Sequence, residues 1–350
     1  MHIRALEIFL FVLVQLAVHR NGLAQDSISL INTRFEPGAK LFNCVYSSPK
    51  RLHICMEGPA KNSVQICTIE NNEVKTTEPF DLGEDNFWHA TLVYRDENLH
   101  VLIDSSLSVV TGAELHNRRR LRVATLRGNK LVVSSNFVIT VKSPQSRSVL
   151  YGGVASLSAI EQCGSRATIF STSPAGDETV VLSLDTLQAS AFTPENQLLV
   201  IAADKIGIIQ DQNAILVEAP IFSLDERIRV VCSRLVGELL AMVVEKGSEL
   251  EDNFQTLVVV NIRSKEFSVT SLRTASSVLV VDLLPTSLSR VLLLERNRRT
   301  HQLSIRFPET PGMNARRVKV SVPQDCLLMN PRFVVGGSEI LVYSSQMIKL

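Results

Sequence analysis

An all-β repeat fold, a β-propeller of seven blades, is what this sequence predicts, and three observations carry the prediction. Hairpin-like stretches recur from end to end at steps of 34 to 45 residues, the period of a repeat architecture. Most gaps between apolar runs are two to six residues, too short for the crossovers a parallel sheet needs. Several runs, such as residues 198–203 and 257–260, are apolar without interruption, so both faces of those strands must be covered. Antiparallel sheets stacked face to face meet all three conditions, and blades around an axis are such a stack. Six or eight blades and tandem β-sandwiches are the alternatives.

The clearest unit is residues 255–273, QTLVVVNIRSKEFSVTSLR. Leu257 to Val260 reads as a strand, the polar residues 263–266 as a turn, and Phe267, Val269 and Ser271 alternate with Ser268, Thr270 and Leu272 along a second strand. Its relatives centre near Ile66, Leu102, Ile139, Leu182, Leu216, Val259 and Ser304. Between two of these centres the pattern predicts four strands, at residues 187–192, 197–203, 205–210 and 214–219. Residues 223–245 have near-helical spacing of apolar residues, yet Gly237 in mid-run and the β-branched pairs favour two strands, at 228–232 and 238–245. The chain resembles the propeller class in this rhythm but lacks the Trp-Asp and Gly-His signatures of WD40 repeats and the double glycine of Kelch blades. Residues 27–34 are expected to complete the last blade, which has only about three strands of its own.

Residues 1–24 read as a secretory leader. Arg4 gives a positive start, residues 5–18 are apolar apart from Glu7 and Gln15, and Gly22 and Ala24 precede a cut at Gln25. The apolar part falls short of the roughly 20 residues of a membrane span. Residues 25–350 then form one exported domain, with no linker dividing it and no membrane span after cleavage. The whole chain has 36 basic and 35 acidic side chains; without Arg4, Arg20 and Glu7 there are 34 of each. That balance argues against nucleic acid as a partner. An exported chain with six cysteines permits disulfides. Folding a hairpin about residues 47–50 sets Cys44 opposite Cys55, which predicts a bridge between them, while a turn at 58–62 sets Cys55 opposite Cys67. The pairing of Cys67, Cys163, Cys232 and Cys326 is left open.

The chemistry-bearing residues form no familiar pattern. G-x-S-x-G, H-E-x-x-H, Walker and close Cys/His spacings are missing from the sequence, so neither cofactor nor metal is expected. His89, His100 and His116 are grouped, and Asp104, Asp185, Asp204 and Asp282 follow apolar runs, where turn-making is their ordinary role. Arg118, Arg120 and Arg122 alternate along one strand, which suits either an acidic partner's site or a charged edge strand. Arg296-Asn297-Arg298-Arg299 matches a processing-protease pattern but sits where a basic hairpin turn is expected. The reading is a secreted binding or scaffold module for a protein or acidic glycan. A propeller hydrolase with acids or a metal in its channel, and a structural subunit without a ligand, are the alternatives.

Overall fold

The computed structural model describes residues 11–16, 26–31, 41–48, 50–60, 62–71, 73–83, 86–111, 114–140, 149–152, 157–173, 175, 177–194, 197–210, 212–223, 228–246, 254–272, 277–307, 316–320, 326–336 and 339–349. Every regular element among them is a β-strand. The strands fall into two compact units, residues 1–141 with 320–350 and residues 142–319.

In chain order, β1 (Phe11–Leu16) and β2 (Asp26–Ile31) are followed by a meander of β3 (Leu41–Ser48), β4 (Arg51–Glu57), β5 (Ser63–Glu70) and β6 (Glu73–Thr76), with β7 (Phe80–Asp81) also pairing β5. A second meander is β8 (Asn86–Arg95), β9 (Asn98–Thr111), β10 (Glu114–Arg127) and β11 (Lys130–Thr140). The second unit opens with β12 (Val149–Gly152), β13 (Leu157–Cys163), β14 (Arg166–Thr172) and β15 (Glu178–Leu184). Next come β16 (Leu187–Phe192), β17 (Leu198–Ala202), β18 (Lys205–Gln210) and β19 (Asn213–Glu218). They are followed by β20 (Ile228–Val236), β21 (Leu239–Lys246), β22 (Phe254–Asn261) and β23 (Phe267–Leu272). The unit closes with β24 (Val278–Ser287), β25 (Arg290–Asn297), β26 (Leu303–Phe307) and β27 (Arg316–Val320). Finally β28 (Cys326–Gly336) and β29 (Glu339–Lys349) return to the first unit and form a sheet in the order β2-β1-β29-β28. Consecutive antiparallel meanders with adjoining first strands are propeller blades, and the fold is all-β of the propeller class.

The second strand of a sheet shows why the sequence reads as continuous apolar runs. Along β17, Leu199 and Ile201 pack with Leu240, Met242 and Val244 of β21, while Leu198, Val200 and Ala202 pack on the other side with Ile160 and Ile169. The opposite face of β21 sends Ala241 and Val243 against Leu283, Val291 and Leu293. In the first unit, Leu52, Ile54 and Met56 of β4 meet Val334, whereas Cys55 faces Ala90, Val101 and Ile103. Period-two alternation thus feeds two cores from one strand, and each fully buried Leu or Ile contributes about 1.5–3 kcal/mol. Gly207 of β18 is a point of close approach. A Cβ there would lie 2.6 Å from Leu216 Cδ2 and 2.9 Å from Val200 Cγ2.

The stretch 255–273 is the hairpin of β22 and β23, its turn held by Asn261 Oδ1, which accepts from the Arg263 and Ser264 amides. Residues 223–245 resolve as β20 and β21, with Gly237 at φ +59° in the turn between them. The early segment does enter the last sheet, but β2 pairs β1, and β1 pairs β29. Phe11–Leu16, which the sequence assigns to a leader, is the strand that touches the C-terminal hairpin.

The expected bridge between Cys44 and Cys55 is overturned. A register shift between Tyr46 and Ser48 moves the ladder by one residue, so Cys44 pairs Ile54 and Cys55 pairs Asn43. Slippage by one residue sends side chains to opposite faces; Cys44 joins one core and Cys55 the other. Cys67 also pairs Ile54, so it stands two strands from Cys44, roughly 10 Å at ordinary strand spacing and beyond disulfide reach. Cys44, Cys55, Cys67 and Cys232 are buried and in no disulfide, and the side chains of Cys163 and Cys326 lie outside the described residues. Burial pushes the Cys67 thiol up to about 11 and raises that of Cys55 as well. These four thiols should resist a water-soluble disulfide reagent in the native protein and react fully in guanidinium without reductant. Recovery of a Cys44–Cys55 cross-linked peptide would contradict this placement.

Candidate functional site

Rows of polar side chains cross the sheets where the alternation would otherwise place apolar ones. His53 of β4 is 6% exposed; its Nε2 is 2.8 Å from Ser47 Oγ and its Nδ1 2.9 Å from Thr68 Oγ1. A neutral imidazole accepts at one nitrogen and donates at the other, so one ring ties β3, β4 and β5 together. Burial, assisted by the charge of Arg51, lowers the His53 pKa to about 4. The next sheet repeats the device. His100 Nδ1 of β9 lies 3.0 Å from Thr125 Oγ1 of β10, which donates to Ser134 Oγ of β11 at 3.4 Å.

Charged rows take this place in the second unit. Glu245 of β21 accepts from Arg229 of β20 and from Gln255 Nε2 of β22, the latter at 3.0 Å. Burial alone would raise this carboxyl, but the donors outweigh it and hold Glu245 below the usual carboxylate range. Glu295 of β25 pairs Arg306 of β26 at 3.2 Å. Arg234 of β20 reaches Asp282 of β24 at 2.7 Å, joining two sheets, with side chains 6% and 0% exposed. The second Asp282 oxygen accepts from the Leu283 amide.

The arginine row falls on β10, which lies between β9 and β11. The charged-edge reading is therefore overturned. The ladder is unshifted from Arg118 through Arg122, keeping the three positions on one side of the strand. Arg122 pairs Ile103, a residue of the core shared with the β3–β7 sheet, so Arg122 looks toward that sheet. Arg120 and Arg122 are half-buried, and Arg122 Nη1 donates to the Leu82 carbonyl at 3.3 Å. The Arg118 side chain lies outside the described residues.

The grouped acids do not converge within the second unit. Asp185 and Asp204 are exposed beside Arg166 and Lys205, while Asp282 is sealed against Arg234. Asp104 is half-buried in β9 of the first unit. Of the grouped histidines only His100 has a described side chain. Among the described residues no group of three or more His, Cys, Asp or Glu side chains could hold a metal. Arg298 and Arg299 sit at the β25–β26 tip, where Asn297 Oδ1 accepts from the Arg299 and Thr300 amides, an ordered turn. His53, Glu245 and Arg234 were the residues missed from sequence; His53 stands between Leu52 and Ile54, Arg234 just before Leu235, and Glu245 at the end of an apolar run.

Exposed large apolar side chains concentrate on the outermost strands of the sheets: Val74 on β6, Val132 and Val133 on β11, Val180 on β15, Ile215 on β19, and Phe267 and Val269 on β23.

No protein family and no curated protein matches the chain. Among solved structures it is similar to a protein from Lactobacillus plantarum, at 10% identity and TM-score 0.47 over 90% of this chain and 97% of that one. It is also similar to the WD40 domain of SCAP from fission yeast, at 9% identity and TM-score 0.41 over 88% and 96%. Polysaccharide lyase Uly1 gives 7% identity and TM-score 0.43 over 97% and 98%. Likeness at this level says nothing of activity.

Removing one partner of the sealed pair should be costly. Asp282→Ala is expected to lose about 3–5 kcal/mol in urea unfolding, with most of it restored by adding Arg234→Met. The His53 ring sets a pH dependence. Its folded pKa lies below the unfolded value of about 6.5, so its contribution is complete above that pH and is lost as pH falls toward 4. Stability should drop by up to roughly 3 kcal/mol across that window, and His53→Gln should flatten the slope.

Proposed function

We propose that this protein is an exported binding or scaffold module, a β-propeller of seven blades with residues 25–350 as a single domain. The observation that carries the reading is where the reactive groups are spent. His53 has both ring nitrogens engaged by hydroxyls, and the buried carboxylates of Asp282, Glu295 and Glu245 are neutralised by arginines. These groups hold strands together, whereas most of the large apolar side chains left in solvent lie on outer strands, where a partner can reach them. In an exported form, loss of residues 1–24 removes β1 and leaves β29 an open edge that residues 26–31 can fill.

The partner is a protein or an acidic glycan, and Arg118, Arg120 and Arg122 are the residues assigned to acidic groups. The hydrolase alternative has one observation in its favour, the 2.8 Å approach of Ser47 Oγ to His53 Nε2, a nucleophile-and-base distance. The purified protein should be retained on heparin in a salt-sensitive way, and the Arg118→Ser/Arg120→Ser/Arg122→Ser protein should elute earlier with its fold intact. Unchanged retention removes the acidic partner. Labelling of Ser47 by a fluorophosphonate, with ester turnover abolished by His53→Gln, would replace the binding reading with the hydrolase.

A further inference from the structure

We infer that β23 is a docking edge for an extended, uncharged segment of a partner protein, which adds as a fifth strand to the β20–β23 sheet. Among the described residues, strand β23 ends its sheet and pairs only β22 in the ladder. The Asn261 amide donates to the Glu266 carbonyl just before it, which fixes the alternation of the ladder. Ser268, Thr270 and Leu272 turn their backbone groups inward to β22, and Phe267, Val269 and Ser271 turn theirs outward. The same three residues are exposed, Phe267 by 42% and Val269 by 46%; Thr270 is exposed as well, while Leu272 is buried and Ser268 Oγ donates to the Leu288 carbonyl. Main-chain donors, acceptors and apolar side chains therefore line one edge.

Sheet edges are ordinarily guarded by charge, proline or a bulge. The other outer strands obey this rule. β2 carries Asp26, β6 Glu73 and Lys75, and β19 Glu218, while β27 has Arg316, Arg317 and Lys319. Both β11 and β15 have a charged first residue and a register shift. Among the described outer strands, β23 alone has neither charge, proline nor shift. An edge left unguarded in a set that is otherwise guarded is the mark of strand addition.

The chemistry of the edge names its occupant. Six residues without a charge offer nothing to an acidic or basic segment, so the fitting strand is neutral and sets apolar side chains beside Phe267 and Val269. Pairing with a second copy through six residues falls well short of the roughly 1,200 Å² that stable protein interfaces bury, which favours a short segment of another chain.

This inference deepens the binding-module reading and rests on it. The probe is an acetylated octapeptide alternating valine and threonine, and the readouts are titration by fluorescence anisotropy and amide exchange over residues 267–272. Saturable binding should slow exchange at Phe267, Val269 and Ser271 at least tenfold. Val269→Pro, which removes only an outward amide, and Val269→Lys, which guards the edge, should each weaken binding at least tenfold with urea midpoints near wild type. Equal binding by either folded variant, or no slowing at these amides, overturns the proposal. Concentration-dependent dimerisation abolished by Val269→Lys also overturns it, in favour of a second copy. Ester turnover would sink the binding-module reading but leave exchange at this edge unaffected, so the two failures are distinguishable.

Discussion

Burial of both faces of the second strand is the constraint on which the rest of this structure depends. In β17 every residue from Leu198 to Ala202 is almost free of solvent, and the side chains part into two cores. A strand so placed is stable only with a sheet on each side, so no sheet can stand alone and each must have neighbours. The same requirement is met by β4 in the first unit and by β21 in the second. Its consequence is that each hydrophobic cluster among the described residues belongs to two sheets at once.

Polar groups inside such a stack have no water to turn to, and an unmade hydrogen bond there costs about 1–3 kcal/mol. The chain answers by linking buried or half-buried polar side chains to polar neighbours on adjoining strands: His53 with Ser47 and Thr68, Thr125 with His100 and Ser134, Glu245 with Arg229 and Gln255. These rows weld strands that the backbone ladder already joins. Arg234 and Asp282 go further, since they bind one sheet to the next across a separation of 48 residues. Replacing such a pair by apolar groups of similar size often changes stability little, whereas removing one partner alone leaves a buried charge uncompensated.

The demand for two covered faces relaxes at the outermost strands, where one face or both meet solvent. There the sequence changes character from unbroken apolar runs to short alternating ones such as EVKT and FSVTSL. Outer strands are also where a fold of this kind has unpaired backbone groups, so their charges decide what the sheet edge excludes.

Much of the strand content was legible because it is local. Apolar runs, polar turns and alternation placed the four strands β16–β19 to within a residue or two, and Gly237 with the β-branched pairs separated β20 from β21. The rhythm was legible but its phase was not. The repeat centres Ile66, Leu102 and Ile139 fall on β5, β9 and β11, which are different positions in their sheets. A period of this length does not by itself say which strand of its sheet each centre marks. The arginine row shows the same limit. Alternation put Arg118, Arg120 and Arg122 on one side, but only the sheet order showed that β10 is interior and that Arg122 reaches Leu82.

By itself, then, the sequence determined an all-β chain of short antiparallel strands with covered faces, since backbone preference, side-chain alternation and turn chemistry are properties of neighbouring residues. Tertiary structure alone decided the register and the partners. One shifted residue between Tyr46 and Ser48 turned Cys55 away from Cys44 and put the two in separate cores, an event of no local cost that a pattern cannot register. The meetings of Phe11–Leu16 with Glu339–Lys349, and of Arg234 with Asp282, were likewise fixed by packing between distant segments, where the favourable free energy of burial and pairing arises only once the sheets are stacked.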